Sequence, residues 1–540
     1  MQETCDLVII GAGASGMAAA ISAHDAGASV RIVDKGPSVG GTAAISGGVI
    51  WVPNNAHMAR AGIEDNREAA LDYFRSLSND LDPAVLEAFI DEGPAAIEFL
   101  ETATPLRLAM LRGYPDYYLD RPGARPGGGR ALDCNLFDFR SLGDWREKVL
   151  TGADIQRLML RETPLGGAAS LPDPEVFGAR IANDQRGFGQ ALVGALLSAC
   201  LERGIEPMLN SPAKRLLIEN EAVVGVVVDT ADGPRTLRAG SAVIIATGGF
   251  EWNRELAATF LRGPLTRPAS PPLATGDGLK LAQKAGAALG NMTSAWWAPT
   301  MTAGADAWPD GSPRSSPVLI ERTMPGSIMV NRKGERFCNE ATNYSALAGA
   351  FHVFDPNTYD WANLPAWLVF DAGYRARYPV GPSWPGTPTP EWMFEAPTLG
   401  ALAETIGCDA AGLESTVARF NGHATKGEDP DFARGVSPYD VFYGDRSRAG
   451  SAATLGPLET APYFAVPIHM GALGTNGGVK TDANGRALDP DGAVIPGLYA
   501  VGNVMAAPTG SVYAGAGGTL GPALTFGVIA GRHAARRWNA

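Results

Sequence analysis

The stretch Leu7-Val8-Ile9-Ile10-Gly11-Ala12-Gly13-Ala14-Ser15-Gly16 decides how the chain begins to fold. Four apolar residues read as a buried strand, three glycines punctuate a turn, and small residues continue as a helix to about Ala26. Ser29 to Val33 reads as a second strand, so the first forty residues predict a βαβ unit. In such a unit the glycines serve a tight turn, a close approach of backbone to a pyrophosphate, and the contact of helix with sheet. The N–H groups at the start of the helix then face the diphosphate. Asp34 ends the second strand, 18 residues beyond Gly16, where a carboxylate hydrogen-bonds ribose hydroxyls. Together they predict a bound dinucleotide, with Gly11, Ala12, Gly13, Ala14, Ser15, Gly16, Asp34 and Lys35 around it.

The rest of the 540 residues is consistent with a large folded protein. Hydrophobic residues make up 45% and charged residues 19%, enough apolar material for a sizeable core. The net charge of −13 repels phosphate backbones, so nucleic acid is not an expected partner. Five scattered cysteines, Cys5, Cys134, Cys200, Cys338 and Cys408, form no CxxC pair, which argues against a disulfide framework or a zinc cage and fits a reducing cytoplasm. Glu3 and Asp6 stand where a signal peptide carries positive charge. No stretch reaches the roughly 18 to 20 uncharged apolar residues of a membrane-spanning helix. The chain is therefore expected to be soluble, or at most peripheral to a membrane.

Further along, Lys214 to Ile218, Val223 to Val228 and Thr236 to Arg238 read as short strands of a β-meander, followed by a buried strand at Ala242 to Ile245. Helices are expected from the Asp82-Pro83 cap through Ile90 and from Gly187 to Leu201. Prolines and aromatics become frequent from about Trp296 to Ala461, with a hairpin at Ser327 to Phe337 turning through Asn331-Arg332-Lys333-Gly334. Short strands return from Pro467, ending in a helix from about Leu520 to Trp538. The expected architecture is α/β: a discontinuous nucleotide-binding domain, 1–295 and 462–540, with an inserted α+β domain at 296–461. The segment Leu150 to Phe177, with Gly166-Gly167-Ala168-Ala169, is a lid or a surface excursion, the second being the expectation.

Three later motifs narrow the dinucleotide. Gly40-Gly41-Thr42-Ala43 and Ser46-Gly47-Gly48 form a second small-residue cluster, Ala246-Thr247-Gly248-Gly249 follows the meander, and Gly502-Asn503 follows the strand Leu498 to Val501. In that order they resemble the two-dinucleotide-fold flavoproteins, specifically the fumarate reductase and 3-ketosteroid dehydrogenase superfamily, over essentially the whole chain. The resemblance implies FAD as cofactor, with a Rossmann-like βαβ unit and meander. It implies contacts from Gly41, Thr42, Ala43, Ser46, Gly47, Gly48, Ala246, Thr247, Gly248, Gly502, Asn503, Thr519 and Leu520.

Within that superfamily the site residues separate carboxylate reductases from ketone dehydrogenases. Arg336-Phe337-Cys338-Asn339-Glu340 is similar to the superfamily's RF-x-NE box, whose carboxylate-reducing members carry a proton-donating arginine five residues after the asparagine. Tyr344 stands there instead. Gly510 to Gly521, including Tyr513-Ala514-Gly515-Ala516-Gly517, resembles the ketone-binding stretch of the 3-ketosteroid Δ1-dehydrogenases, although alanines replace the usual prolines. The resemblance implies that Tyr513 donates its hydroxyl and Gly517 its N–H to a ketone oxygen, and that Tyr344 is the base. Tyr117, with Tyr118 as near rival, supports it. A phenol titrates near about 10 in water, so such a base needs a hydrogen bond or a field favouring its anion. The expected substrate is a small apolar ketone, a 3-oxosteroid above all. The expected reaction is proton loss from carbon 2 with hydride leaving carbon 1 for the flavin, and an electron acceptor the sequence does not identify.

Two other chemistries stay open on these residues. A Δ4-(5α) steroid dehydrogenase or another cyclic-ketone dehydrogenase shares the machinery, and His469, where some carboxylate reductases present a histidine to substrate, keeps an ene-reductase in view. A packed histidine is the expectation there. Trp296, Trp297 and Met301 line an apolar pocket or form an ordinary core cluster.

Overall fold

Strand β1 (Gln2–Ile10) is longer than Leu7 to Ile10 because its first residues also find a partner: Gln2 lies opposite Thr236 and Leu7 opposite Ala242 in one parallel ladder. Helix α1 (Ala14–Asp25) and strand β2 (Val30–Val33), parallel to β1, complete the predicted βαβ unit. The computed structural model describes residues 2–152, 156–168 and 170–536. The predicted end of the last helix at Trp538, and Ala169, lie outside them.

Beyond β2 come the short strand β3 (Ile50–Trp51), helix α2 (Arg67–Arg75) and helix α3 (Pro83–Ala103). Asp82 caps α3 as expected, its side chain accepting from the N–H groups of Ala84 and Val85. Helix α4 (Phe188–Glu202) is followed by β4 (Ala213–Glu219), β5 (Ala222–Thr230) and β6 (Gly233–Ile245). Here the sequence reading needs correcting. Thr236 to Arg238 and Ala242 to Ile245 are not two strands but one, because β6 is antiparallel to β5 over its first half while remaining parallel to β1 throughout. The ladder with β1 shifts register between Ala239 and Ala242 and then resumes, so Gly240 sits in a bulge rather than at the end of a strand. The last elements are β7 (Val494–Ala500) and α5 (Leu520–Ala535). Along the main sheet the order is β2-β1-β6-β7 and then Arg486–Leu488, with β5 joined to β6 and β4 to β5.

The chain divides into two compact units: Met1–Leu261, Ser270–Ala295 and Gly474–Ala540 in one, Arg262–Ala269 and Trp296–Leu473 in the other. In the first, α5 packs on α1 through small residues. A Cβ on Gly531 would meet Ser22 Oγ at 2.2 Å and Ala19 O at 2.3 Å, and Ser22 Oγ donates to Val528 O at 3.1 Å. The helices approach this closely only because no side chain intervenes.

In the second unit Ala366–Asp371 lies between Ser327–Asn331 and Tyr463–Thr475, antiparallel to both. Phe394–Ala396 also pairs with Tyr463–Thr475. The predicted hairpin turns where expected, with Gly334 at φ +70° and its N–H on Asn331 O. Its second arm is only a single bridge, Val330 to Arg336, and on that edge the Met329 N–H goes instead to Glu340 Oε1 at 3.0 Å. The apolar core includes Ile328, Val330, Val369, Leu413, Val417 and Phe420. Within 150–177, the turns Leu160–Glu162 and Pro164–Gly166 are tied down by ion pairs Arg180–Glu162 at 2.7 Å and Arg161–Asp133 at 2.9 Å. Residues 153–155 of this segment lie outside the described residues. No helix among the described residues is long and apolar enough to cross a membrane.

Candidate active site

The glycines of the first turn divide by what surrounds them. Gly11, at φ +116°, and Gly16 are crowded: an added Cβ would meet Ala246 O at 2.3 Å in one case and Gly11 O at 2.0 Å in the other. Gly13 faces open space, with nothing within 4 Å of such a Cβ, and so do Gly41 and Gly248. Crowded glycines therefore build the turn, and open ones leave room for another molecule's atoms. Helix α1 begins at this opening with no side-chain cap and no acidic residue in its first turn, an arrangement that favours an anion.

Motifs far apart in sequence meet here. Ala246 N–H donates to Ile10 O at 2.8 Å, Gly40 N–H to Ala12 O at 2.8 Å, and Gly502 sits so close to Ser15 that a Cβ would meet its Oγ at 2.6 Å. Asp34 accepts from Ala12 and Gly36 N–H, both at 2.8 Å, fastening the turn to the end of β2. Burial pushes its carboxyl up against those two donors. Two of its four lone pairs take no donor among the described residues. Lys35 is occupied otherwise, donating to Thr275 Oγ1 at 2.6 Å and pairing with Asp277. Ser46 Oγ accepts from Gly48 N–H at 3.1 Å, shaping the second cluster, and a Cβ on Gly48 would meet the Phe188 carbonyl carbon at 2.4 Å. Two hydroxyls, Thr247 Oγ1 and Thr519 Oγ1, are buried with no hydrogen-bond partner among the described residues. Orphaned donors beside an uncapped helix start and open glycines fit FAD.

A second constellation lies in the same unit. Tyr117 and Tyr513 stack, ring centroids 5.5 Å apart and planes 11° from parallel, and Tyr117 N–H donates to Ala514 O at 3.0 Å. Both rings are buried, whereas Tyr118 is half-buried. Gly517, at φ +94°, accepts from Trp51 N–H at 3.1 Å, and a Cβ on it would meet Val49 O at 2.6 Å. The loop from Tyr513 to Gly517 is thus pinned against β3. Trp51 Nε1 donates to Asp116 Oδ1 at 2.9 Å, and Arg130 joins Asp116 to Asp65 by an ion pair at 2.9 Å and a two-pronged one at 2.7 and 2.8 Å. Burial pushes the Asp116 carboxyl up; for Asp65 the guanidinium outweighs burial and holds it low. Tyr73, Trp51, Arg130 and Asp65 belong to no motif in the sequence reading. The only available signal was the Gly127-Gly128-Gly129 run before Arg130, where Gly128 and Gly129 both have positive φ.

Tyr344 belongs to the second unit and is buried. The box that precedes it is structural. Arg336 pairs with Glu340 at 2.7 Å and Asp429 at 2.9 Å, Arg434 reaches Glu340 at 3.1 Å, and Asn339 donates to Asp440 at 2.9 Å. Burial opposes ionisation of Glu340, but the two guanidiniums outweigh it and hold its carboxyl below the usual range. Arg322, fully buried, spends its donors on carbonyls, including Thr342 O at 2.7 Å and Glu340 O, and so grips the backbone just ahead of Tyr344. Trp296, Trp297 and Met301 are all buried on the strand Ala295–Met301. His469 is held neutral, its pKa pushed down to about 4 by burial and by the charge of Arg267. Arg267 itself makes no ion pair among the described residues. No cluster of His, Cys, Asp or Glu among them is arranged to hold a metal ion.

Comparison with known proteins adds the following. The family described as FAD binding domain matches residues 6–520. The chain is 40% identical to 4-oxocyclohexanecarboxylate 2-dehydrogenase of Sinomonas cyclohexanicum, covering 98% of this chain and 93% of that protein. It is 39% identical to 3-oxosteroid 1-dehydrogenase of Mycobacterium tuberculosis (strain ATCC 25618 / H37Rv), covering 98% of each. Among solved structures, 3-ketosteroid delta1-dehydrogenase from Sterolibacterium denitrificans in complex with 1,4-androstadiene-3,17-dione superposes with a TM-score of 0.90 at 34% identity over 99% of both chains.

Proposed function

The chain belongs to the FAD binding domain family, and from that premise we propose that this FAD-dependent oxidoreductase is a 3-ketosteroid Δ1-dehydrogenase, introducing a double bond between carbons 1 and 2 of a 3-oxosteroid. The observation that carries the reading is the Tyr513 to Gly517 loop, locked against β3 in a chain that resembles such a dehydrogenase from end to end. The second unit then serves as the substrate and catalytic domain, and the five thiols, all free, suit a reducing cytoplasm.

Tyr513 donates its hydroxyl and Gly517 its N–H to the ketone oxygen, stabilising the negative charge that develops there as a neighbouring C–H is lost. Tyr344 takes that proton from carbon 2. Tyr117, stacked on Tyr513, keeps the ring from turning and supports the base. When bound, FAD would supply the acceptor for the hydride that leaves carbon 1; Gly13 to Gly16 would hold its pyrophosphate, Asp34 its ribose, and Thr247, Gly248, Gly502 and Thr519 further atoms. Anaerobic addition of 4-androstene-3,17-dione to the holoprotein is expected to bleach the yellow flavin absorption. Undiminished colour across a panel of 3-oxosteroids removes the substrate class.

A second reading rests on Arg267. A half-buried guanidinium with no ion pair among the described residues, beside a neutral histidine, suits a carboxylate, and a relative at 40% identity is named for a cyclic ketone that carries one. The chemistry at the ketone is unchanged, only the far end of the substrate differs. Comparing kcat/KM for 4-oxocyclohexanecarboxylate and 4-androstene-3,17-dione decides between the two.

A further inference from the structure

The hydroxyl of Tyr73, on α2, is fully buried and sits at the junction of three segments. It donates to Ala514 O at 2.8 Å and accepts from Tyr118 N–H at 3.1 Å, while Tyr117 N–H reaches the same Ala514 carbonyl at 3.0 Å. One phenol therefore fastens the backbone next to Tyr513 to the backbone next to Tyr117. Burial pushes its own titration well above the ordinary phenol value, so it remains a neutral donor at any working pH. A charged brace stands behind it. The Arg130 guanidinium lies 5.7 Å from the Tyr73 ring centre and 5.5 Å from that of Trp51, and it is held by Asp65 and Asp116 with none of its side chain exposed. Asp116 in turn fixes Trp51 Nε1, against which Gly515 packs so tightly that a Cβ would come within 2.5 Å of it.

We propose that Tyr73 is a positioning residue for ketone activation, setting the aim of the Tyr513 hydroxyl through the Ala514 carbonyl, with Asp116 bracing the same loop through Trp51. The inference rests on the reading that Tyr513 grips the ketone. Its logic is geometric. A hydrogen-bond donor stabilises a developing oxyanion only if its direction is preset, and displacement of about 1 Å at a distance from the chemistry costs up to about 10²-fold in rate. The Tyr513 loop has two alanines flanking its middle glycine, so its own side chains supply little rigidity. The stiffness comes from outside, through Tyr73 and Trp51.

The test is steady-state kinetics with 4-androstene-3,17-dione on holoprotein carrying Tyr73→Phe, Tyr513→Phe, and both. Tyr73→Phe is expected to retain its flavin and to lower kcat about tenfold with KM changed less than about twofold, the signature of an interaction realised in the transition state. Added to Tyr513→Phe it is expected to cost less than about twofold more, because the hydroxyl it aims is already gone. A merely structural role would lower the melting temperature and leave turnover per flavin intact. Wild-type kcat in Tyr73→Phe, or a loss that multiplies in full onto Tyr513→Phe, overturns the proposal while leaving the ketone grip standing. An unimpaired Tyr513→Phe enzyme sinks both. Should Tyr73→Phe give no folded holoprotein, Asp116→Asn is expected to show the same kinetic signature, and unchanged turnover in that variant overturns the proposal equally.

Discussion

Gly517 shows how much one missing side chain decides. At φ +94° an L-residue is strained, and its Cβ would lie 2.6 Å from Val49 O and 2.7 Å from Trp51 N, both backbone atoms that move only if β3 moves. Gly517→Ala is therefore expected to push the loop off β3 and to lower kcat/KM for the ketone by about 10²-fold, with the bound flavin retained, as measured by turnover per flavin. Wild-type turnover in that variant would free the loop from its proposed task. Tyr344, as the proposed base, makes a different demand: in that role it loses and regains a proton, which phenylalanine does not do. Tyr344→Phe is expected to retain ketone binding, measured by perturbation of the flavin spectrum, and to lose at least about 10²-fold in the rate of anaerobic flavin reduction. A near-normal reduction rate reassigns the base. Both residues stood out in the sequence as candidates because their neighbours are glycines at fixed spacing or an RF-x-NE box. Tyr73 was not, since its partner Ala514 lies 441 positions away and a lone tyrosine carries no local signature.

Helices and strands were readable to the extent that their periodicity or their caps are local. Asp82 before Pro83 declares the start of α3 from two residues, whereas the continuity of β6 beyond its hairpin with β5 depends on pairing with β1, which is remote in sequence. The packing of α5 on α1 is equally non-local. The small residues of α5 looked like an ordinary terminal helix, and only the fold shows Gly527 so close to α1 that an added Cβ would meet Ser15 O at 2.6 Å, and Gly531 likewise against Ser22 and Ala19. This contact has a consequence at the other end of α1, whose first turn faces the proposed pyrophosphate. Gly531→Leu adds a side chain where a Cβ alone already overlaps two atoms, so α1 must shift along with its N–H groups. The expected result is a loss of about 1–3 kcal/mol in stability together with partial release of FAD, read as a lower ratio of flavin to protein absorbance after gel filtration. Full flavin occupancy with unchanged melting would mean that the helices tolerate separation without disturbing the turn.

Across the molecule, acid sensitivity follows from groups buried in the neutral state. His352, its ring edge-on to Trp297 at 4.7 Å and its Nε2 3.2 Å from Pro264 O, has its pKa pushed down to about 4 by burial, with Arg262 adding to the shift. His469 is pushed down to about 4 in the same way, with Arg267 adding to it. An unfolded histidine titrates near about 6.5, so between pH 6.5 and 4 the unfolded chain binds more protons than the folded one, and stability rises with pH through that window. It is fully present above about 6.5 and is lost as pH falls toward 4. Buried carboxyls with raised pKa values, Asp34 and Asp116 among them, act in the opposite sense toward the bottom of the window, so the raw acid curve mixes two trends. Substituting both histidines separates them. The His352→Gln/His469→Gln holoprotein is expected to lose less stability than the wild type between pH 6.5 and 4.5, by about 1 kcal/mol per histidine after allowance for partial exposure. Thermal melts at closely spaced pH values measure this, and parallel curves for the two proteins would show that neither imidazole is kept neutral by the fold.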